Sequence, residues 1–157
     1  MIDSVYKAFG NKLRIRVCGL CIDHGRLLMI NHQGICEGDF WAPPGGGLQF
    51  GETLESCLKR EFSEETGLKI EIRDFRFLYE FIQLPLHAIE LFFLVDAKRG
   101  NLGRGYDPEM EEKQIIQEVK FMPWAEIDRL TPVSRHGIFN VVSEASKIVD
   151  LKGHFKL

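Results

Sequence analysis

The sequence lacks the long apolar run that a membrane-spanning helix needs. Its longest uninterrupted apolar stretch, residues 91–95, is far shorter than the roughly 20 residues that cross a bilayer as a helix. The first residues contain neither an apolar core nor a small-residue cleavage site of the kind found in signal peptides. We therefore expect a soluble cytoplasmic protein with no membrane partner.

The sequence also lacks a strong excess of charge of either sign. It contains 20 basic and 23 acidic residues, a formal net charge of −3, so it has no general electrostatic attraction for DNA or RNA. With 45% hydrophobic and 27% charged residues, the composition argues against disorder. A length of 157 residues suits one compact domain, which we place at 1–157. We expect a small-molecule partner and no nucleic acid, while a monomer and a homodimer both remain open.

Cysteines are few, and two of the four form a C-x-x-C pattern at Cys18 and Cys21. That pattern lies within an apolar stretch typical of a strand. Positions three apart in a strand face opposite sides of the sheet, so these two thiols cannot bind one metal. The sequence therefore favours reduced, buried cysteines over a metal site.

The alternation of apolar and polar residues, together with the positions of glycine and proline, predicts the secondary structure. The element types alternate without a repeating β-α-β unit, which favours one mixed sheet with helices on both faces. We expect loops at 32–39 and 96–114, a turn at Pro85 and a short helical turn after Pro123. The predicted strands are 12–22, 26–31, 69–83, 87–95 and 118–122, and the predicted helices are 53–66 and 134–150.

Residues 43–47 read Pro-Pro-Gly-Gly-Gly. We expect no regular structure here, because proline restricts the backbone and removes a hydrogen-bond donor. Glycine leaves a bare backbone that a neighbouring group can approach closely. A helix is predicted directly after this loop, with Gly67 as its left-handed C-terminal cap.

The first half of the 53–66 helix has an ordinary apolar stripe. At 100° per residue, and with Leu54 at zero, Cys57 lies at about −60°, Leu58 at about +40° and Phe62 at about +80°. A stripe of this width is what a helix packed on a sheet presents to the core.

The second half places three carboxylates on the same stripe. Glu61 falls at about −20°, Glu64 at about −80° and Glu65 at about +20°. They are neighbours at i, i+3 and i+4, and they lie near the C-terminus, where the helix dipole disfavours negative charge. The alternative, a solvated acidic helix end, places its acids on the outer face. The pattern therefore favours a bound hard cation such as Mg²⁺, which prefers oxygen ligands.

These residues resemble the signature of the Nudix hydrolase family, the Nudix box. The box reads G, five residues, E, seven residues, then R-E-apolar-x-E-E-x-G-apolar, and Phe62 is the one mild departure because smaller aliphatic residues are commoner there. The matching fixed residues are Gly46, Glu52, Arg60, Glu61, Glu64, Glu65 and Gly67. The resemblance implies an α/β/α sandwich around a mixed β-sheet.

The resemblance also implies roles. Glu61, Glu64 and Glu65 would hold one or more Mg²⁺ ions, or Mn²⁺ in its place, with a backbone carbonyl at Gly45 or Gly46 as a further ligand. Arg60 would orient Glu61 and help Glu52 hold the loop to the helix. Gly46 and Gly67 would be needed for the backbone conformation. The general base would be Glu61 or a loop glutamate. Among Glu109, Glu111 and Glu112, we favour Glu112.

Three residues before the glycines are candidate substrate contacts. Phe40 and Trp41 have side chains that stack on a nucleobase, although packing at a strand end explains them equally well. Gln33 lies with His32 and Glu37 in the predicted loop, where solvated side chains are the commoner outcome.

The activity that the resemblance implies is hydrolysis of a nucleoside diphosphate linked to another group. The substrate would be a (d)NTP, as in MutT-like members, which the short N-terminus favours, or else ADP-ribose or a nucleotide sugar. A non-catalytic nucleotide sensor on the same fold is the alternative of a different class. Sensors of this kind usually lack some of the box carboxylates, and all of them are present here.

Overall fold

The computed structural model describes residues 2–103 and 116–156, and of residues 2–4 it describes the backbone only. Within these ranges the helices are α1 (Ile2–Phe9), α2 (Leu54–Thr66) and α3 (Trp124–Arg129), and two 3-10 helices follow at Gly137–Asn140 and Ala145–Asp150. The strands are β1 (Lys12–Asp23), β2 (Arg26–Gln33), β3 (Asp39–Ala42), β4 (Gly45–Gly47), β5 (Lys69–Gln83), β6 (Leu86–Arg99), β7 (Ile116–Pro123) and β8 (Gly153–Lys156).

The eight described strands form one mixed sheet in the order β3-β2-β1-β6-β5-β8, with β4 paired to β1 and β7 paired to β2. The long pairing of β1 with β6 is parallel, while β5 and β6 form an antiparallel hairpin. The mixed sheet predicted from the alternation of element types is confirmed.

Helix α2 covers one face of the sheet, and α3 with the 3-10 helices covers the other. On the first face, Cys57, Leu58 and Phe62 pack against Val17 and Val95. The Phe62 ring fits there because residue 19 is a glycine. A Cβ on Gly19 would lie only 2.5 Å from the ring. On the second face, Phe77 stacks on Phe92 with ring centroids 4.7 Å apart, in a cluster that includes Ile127 and Ile148.

The prediction that Cys18 and Cys21 face opposite sides of the sheet is confirmed. Cys18 belongs to the cluster under α3, whereas Cys21 belongs to the cluster under α2, so the two thiols lie on opposite faces. Burial raises the pKa of Cys21 to about 11 and that of Cys57 to about 12, which keeps both as neutral thiols at pH 7. Cys36 is only half-buried.

Local sequence explains both ends of α2. Thr53 is the N-cap: its hydroxyl accepts from the backbone N–H of Ser56, and Ser56 Oγ accepts from that of Thr53, each at 3.1 Å. Such a reciprocal cap satisfies two of the backbone donors that a helix start leaves unpaired. Gly67 ends the helix at φ 76°, the left-handed conformation that glycine adopts without steric cost.

Several sequence predictions are wrong. Residues 43–47 are not wholly irregular, because Gly45–Gly47 pair with Arg16–Cys18 as strand β4. The predicted helix 134–150 is two 3-10 helices, with the β-branched pair Val141 and Val142 between them, and β-branched side chains disfavour a continuous helix. Strands also extend into both predicted loops, at 32–33, 39 and 96–99, while residues 104–114 lie outside the described ranges.

Besides β4, three described elements were missed: α1, the short strand β3 and the short edge strand β8, which pairs in parallel with β5. No helix among the described residues is long and apolar enough to cross a membrane.

Candidate active site

The C-terminal half of α2 turns carboxylates toward β4, Gly45–Gly47, which we call the glycine strand. Glu61 and Glu65 are only 5% and 4% exposed, and the side chain of Glu64 is 30% exposed at the margin. The greater exposure of Glu64 follows from its position on the helix, because Glu64 lies farthest from the centre of the apolar stripe. Two carboxylates in a buried position are costly unless a charge or hydrogen bonds compensate for their lost hydration.

The glycines of β4 make room for these carboxylates. A Cβ added to Gly46 would lie 2.3 Å from the Glu61 carboxyl carbon and 2.4 Å from both of its oxygens. The backbone N–H of Gly45 donates to Glu65 Oε2 at 2.9 Å. Any side chain at Gly46 would therefore occupy the space that the Glu61 carboxylate fills.

Arg60 links the loop, the strand and the helix. Its Nε and Nη2 donate to the two oxygens of Glu52 at 2.8 and 3.0 Å, and Nη2 also donates to the Gly47 carbonyl at 3.2 Å. Its Nη1 donates to Glu61 at 2.7 Å and to Glu64 at 3.1 Å. The Arg60 hydrogen bonds lower the pKa of Glu52 to about 2, and Glu52 in turn raises the pKa of Arg60.

His32 lies beside this cluster and not in a solvated loop, so that reading of the sequence was wrong. It belongs to β2, is buried, and its Nε2 lies 4.0 Å from Glu65 Oε1. Burial, aided by the charge of Arg16, lowers its pKa to about 4, so the ring is neutral at pH 7. Its Nδ1 is buried without a hydrogen-bond partner among the described residues.

A second group of charged residues lies on the face of β1 that points away from α2. The sequence reasoning did not single this group out. Arg16 Nε donates to Glu90 Oε1 at 2.9 Å, and Arg16 Nη2 donates to the Gly45 carbonyl at 3.2 Å. The ring of His136 lies 2.6 Å from Glu90 Oε2. Burial alone raises the pKa of Glu90, but His136 and Arg16 outweigh that effect and hold the pKa at about 2. The available signal was a glutamate in the apolar strand 87–95, since glutamate is seldom buried unless it is paired.

The predicted substrate contacts lie along β2 and β3. Phe40 is half-buried with its ring centroid 6.5 Å from that of His32, whereas Gln33 is exposed at the end of β2. Trp41 is buried in the core, with Lys120 Nζ 4.9 Å from its ring centroid. Their role in binding stays a prediction, and Glu109, Glu111 and Glu112 lie outside the described residues.

The donor set fits a hard divalent cation, because the converging groups are carboxylate and carbonyl oxygens. Across residues 2–103 and 116–156, however, no three His, Cys, Asp or Glu side chains are already gathered as a metal site. The contacts explain why: Arg60 bridges Glu61 and Glu64, while Glu65 is turned to the Gly45 N–H. The glutamates are therefore adjacent and oxygen-rich, but they do not yet surround one point.

Known proteins resemble segments of this chain. A segment of 62 residues is 40% identical to the nucleoside triphosphatase NudI of Enterobacter sp. (strain 638), covering 38% of this chain and 43% of the relative. A segment of 100 residues is 29% identical to the ADP-ribose pyrophosphatase of Methanocaldococcus jannaschii, covering 62% and 59%. An 8-oxo-dGTP diphosphatase of Buchnera aphidicola is 41% identical over 66 residues, covering 41% and 48%. The chain thus spans about half the length of these curated relatives.

Solved structures share the fold. A UDP-X diphosphatase superposes with a TM-score of 0.66 at 16% identity, covering 98% of this chain and 73% of that protein. The MutT protein of Methanosarcina mazei Go1 superposes with a TM-score of 0.63 at 19% identity, covering 81% and 87%. The sequence profile of the NUDIX domain matches residues 11–141, which include the whole glycine strand, α2 and the sheet around them. The chain therefore belongs to the NUDIX family.

Proposed function

We propose that the protein hydrolyses a phosphoanhydride bond in a nucleoside diphosphate linked to a further group, and that it uses Mg²⁺, with Mn²⁺ as a substitute. The observation that carries the proposal is the convergence of the α2 glutamates on the glycine strand. Two of them are buried there, and the space for Glu61 exists only because residue 46 has no side chain.

In this proposal Glu61, Glu64 and Glu65, with the carbonyl of Gly45 or Gly46, hold the cation. When bound, the cation neutralises phosphate charge and lowers the pKa of the water that attacks phosphorus. The local charges support this assignment, because three carboxylates, those of Glu52, Glu61 and Glu64, share the guanidinium of Arg60.

The chain's own groups orient the reaction and move the proton. Arg60 fixes one oxygen of Glu61 by a charge-assisted hydrogen bond of 2.7 Å, which holds this carboxylate facing the glycine strand. Glu61 is the candidate general base among the described residues, and Glu112 is the candidate from the segment 104–115. A water held between substrate and either carboxylate would give up its proton there.

The substrate we place first is a (d)NTP. Two relatives, named as a nucleoside triphosphatase and an 8-oxo-dGTP diphosphatase, support this choice with 40% and 41% identity over short segments. The second candidate is ADP-ribose or a nucleotide sugar, supported by the relative named ADP-ribose pyrophosphatase, which aligns over 100 residues. The cytoplasmic location and the choice between monomer and homodimer stay predictions from the sequence.

A screen that follows loss of substrate and formation of nucleotide products by ion-exchange chromatography tests the proposal. Wild-type protein is incubated with Mg²⁺ and a panel of (d)NTPs, 8-oxo-dGTP, ADP-ribose and nucleotide sugars. Glu64→Gln and Glu65→Gln should each lose most turnover while staying folded. Glu55→Gln is the matched control, because Glu55 lies on the same helix but pairs with Lys59 at 2.5 Å on the exposed side.

Full activity in both site variants would overturn the metal assignment. If no member of the panel is turned over but a nucleotide binds tightly, the non-catalytic sensor is the better description. Turnover confined to ADP-ribose or to a nucleotide sugar would exchange the order of the two substrate candidates.

A further inference from the structure

A chain of polar contacts runs through the interior from the first 3-10 helix to the glycine strand. His136 Nδ1 accepts from the backbone N–H of Ile138 at 3.2 Å, which leaves its proton on Nε2. The Nε2–H group of His136 donates to Glu90 at 2.6 Å. Glu90 also accepts from Arg16 at 2.9 Å, and Arg16 in turn donates to the Gly45 carbonyl at 3.2 Å.

Packing alone does not account for this arrangement. Glu90 is buried, and the ring of His136 contacts those of Tyr79 and Phe92 at centroid distances of 5.2 and 5.6 Å. Well-packed apolar residues often replace a buried ion pair with no loss of stability. What an apolar pair cannot do is fix a guanidinium and aim its second nitrogen at a chosen carbonyl.

That carbonyl belongs to a residue whose two flanking peptide groups are both hydrogen-bonded to side chains. The N–H of Gly45 donates to Glu65 and its carbonyl accepts from Arg16. The residue also lies hard against β1, since a Cβ would be 2.4 Å from the Val17 carbonyl oxygen. Gly45 therefore joins a candidate metal-binding glutamate on α2 to the buried Arg16–Glu90 pair on the other side.

The charges of this pair suit a position beside a cation. A backbone carbonyl has two lone pairs, so a hydrogen bond from Arg16 leaves one for a metal ion. A guanidinium without a counter-charge would repel that ion, but Glu90 lies at 2.9 Å from Arg16 and offsets its charge.

We propose that Arg16, held in place by Glu90 and His136, is a positioning residue that orients the Gly45 carbonyl as a ligand for the divalent cation. The inference rests on the proposed function, because it assigns the carbonyl to the same cation. When a group that hydrogen-bonds to a metal ligand and orients it is removed, metal affinity typically falls about 10- to 100-fold.

Mn²⁺ binding to the metal-free protein, measured by electron paramagnetic resonance without substrate, tests this role. Arg16→Met should raise the Kd for Mn²⁺ about tenfold or more, and Arg16→Lys should restore part of the loss. Arg14→Met is the matched control, because Arg14 lies two positions along the same face of β1 and stacks on Phe9. The control should bind Mn²⁺ like the wild type.

A double variant separates positioning from stability. Arg16→Met alone leaves Glu90 without its guanidinium, so the protein is expected to melt at a lower temperature. Arg16→Met/Glu90→Gln removes both charges and keeps an acceptor for His136, so its Tm should recover while its Mn²⁺ affinity stays low.

Wild-type Mn²⁺ affinity in the double variant would show that the network is only a structural link between β1 and β6, and would overturn the inference. If Glu61→Gln loses Mn²⁺ while Arg16→Met keeps it, the proposed function stands and this inference falls. If the wild-type protein binds no Mn²⁺, both fall together.

Discussion

The substitution Gly46→Ala tests the geometry of the site with a single methyl group. The added Cβ would lie 2.3 Å from the Glu61 carboxyl carbon, whereas non-bonded carbon atoms rest about 3.5–4.0 Å apart. The carboxylate and the strand must therefore separate by about 1 Å. Glu61 has little freedom to yield, since it is buried on α2 and Arg60 holds one of its oxygens.

A displacement of about 1 Å in a reacting constellation can reduce turnover about 100-fold, and overpacking a buried position costs about 1–3 kcal/mol of stability. We expect both effects in Gly46→Ala, measured as kcat with saturating Mg²⁺ and as the free energy of unfolding in urea. Gly103→Ala is the matched control, because a Cβ there meets no atom of the described residues within 4 Å and the backbone has no positive φ.

A double variant shows whether the loss passes through Glu61. If Gly46→Ala acts by displacing this carboxylate, adding Glu61→Gln should lower kcat little further, because coupled sites are not additive. Turnover of Gly46→Ala within a few-fold of the wild type would refute the reasoning, since it would mean that the Glu61 carboxylate needs no fixed place against Gly46.

Three further predictions concern stability. Glu52→Gln should be less stable than the wild type at neutral pH, and because the folded pKa of Glu52 is about 2 against an ordinary 4.5, its contribution is present above 4.5 and is lost as pH falls toward 2. Urea unfolding between about pH 6 and about pH 3 should show the two proteins converging, and a constant difference would contradict the pairing. Thr53→Ala should lose about 1 kcal/mol of unfolding free energy because the N-cap hydroxyl is removed, whereas Thr53→Ser should lose little; equal losses would argue against the cap. Gly67→Ala should lose at least about 1–2 kcal/mol, because residue 67 is left-handed and a Cβ would lie 2.7 Å from the Asn101 carbonyl oxygen. A Tm equal to that of Gly103→Ala would count against it.

Local signals predicted α2 and its carboxylates because they act within a few residues. The Gly67 terminator and the placement of Glu61 and Glu65 depend on the local sequence of one helix. The pairing of the prolines and glycines with β1 was less accessible. Gly45–Gly47 read as irregular from composition, and only the close approach of the Arg16–Cys18 backbone makes them a strand.

Contacts between distant segments could not be predicted from the single sequence. Arg16 and Glu90 are far apart along the chain and meet because β1 and β6 pair in parallel, and no local pattern gives that register. The helix expected at 134–150 was wrong for a related reason: its apolar residues Ile138, Phe139 and Ile148 are buried, but two separate 3-10 helices place them there. Glu112 lies outside the described residues, so its role as a base stays a prediction.

Mn²⁺ location by anomalous diffraction from crystals of the metal-free protein soaked in Mn²⁺ tests the central claim most directly. The account predicts an anomalous peak bounded by the carboxylates of Glu61, Glu64 and Glu65 and the glycine strand, absent from crystals of Glu61→Gln/Glu65→Gln. A peak at another place in wild-type crystals, or the same peak in the double variant, would contradict the claim that these glutamates form the metal site.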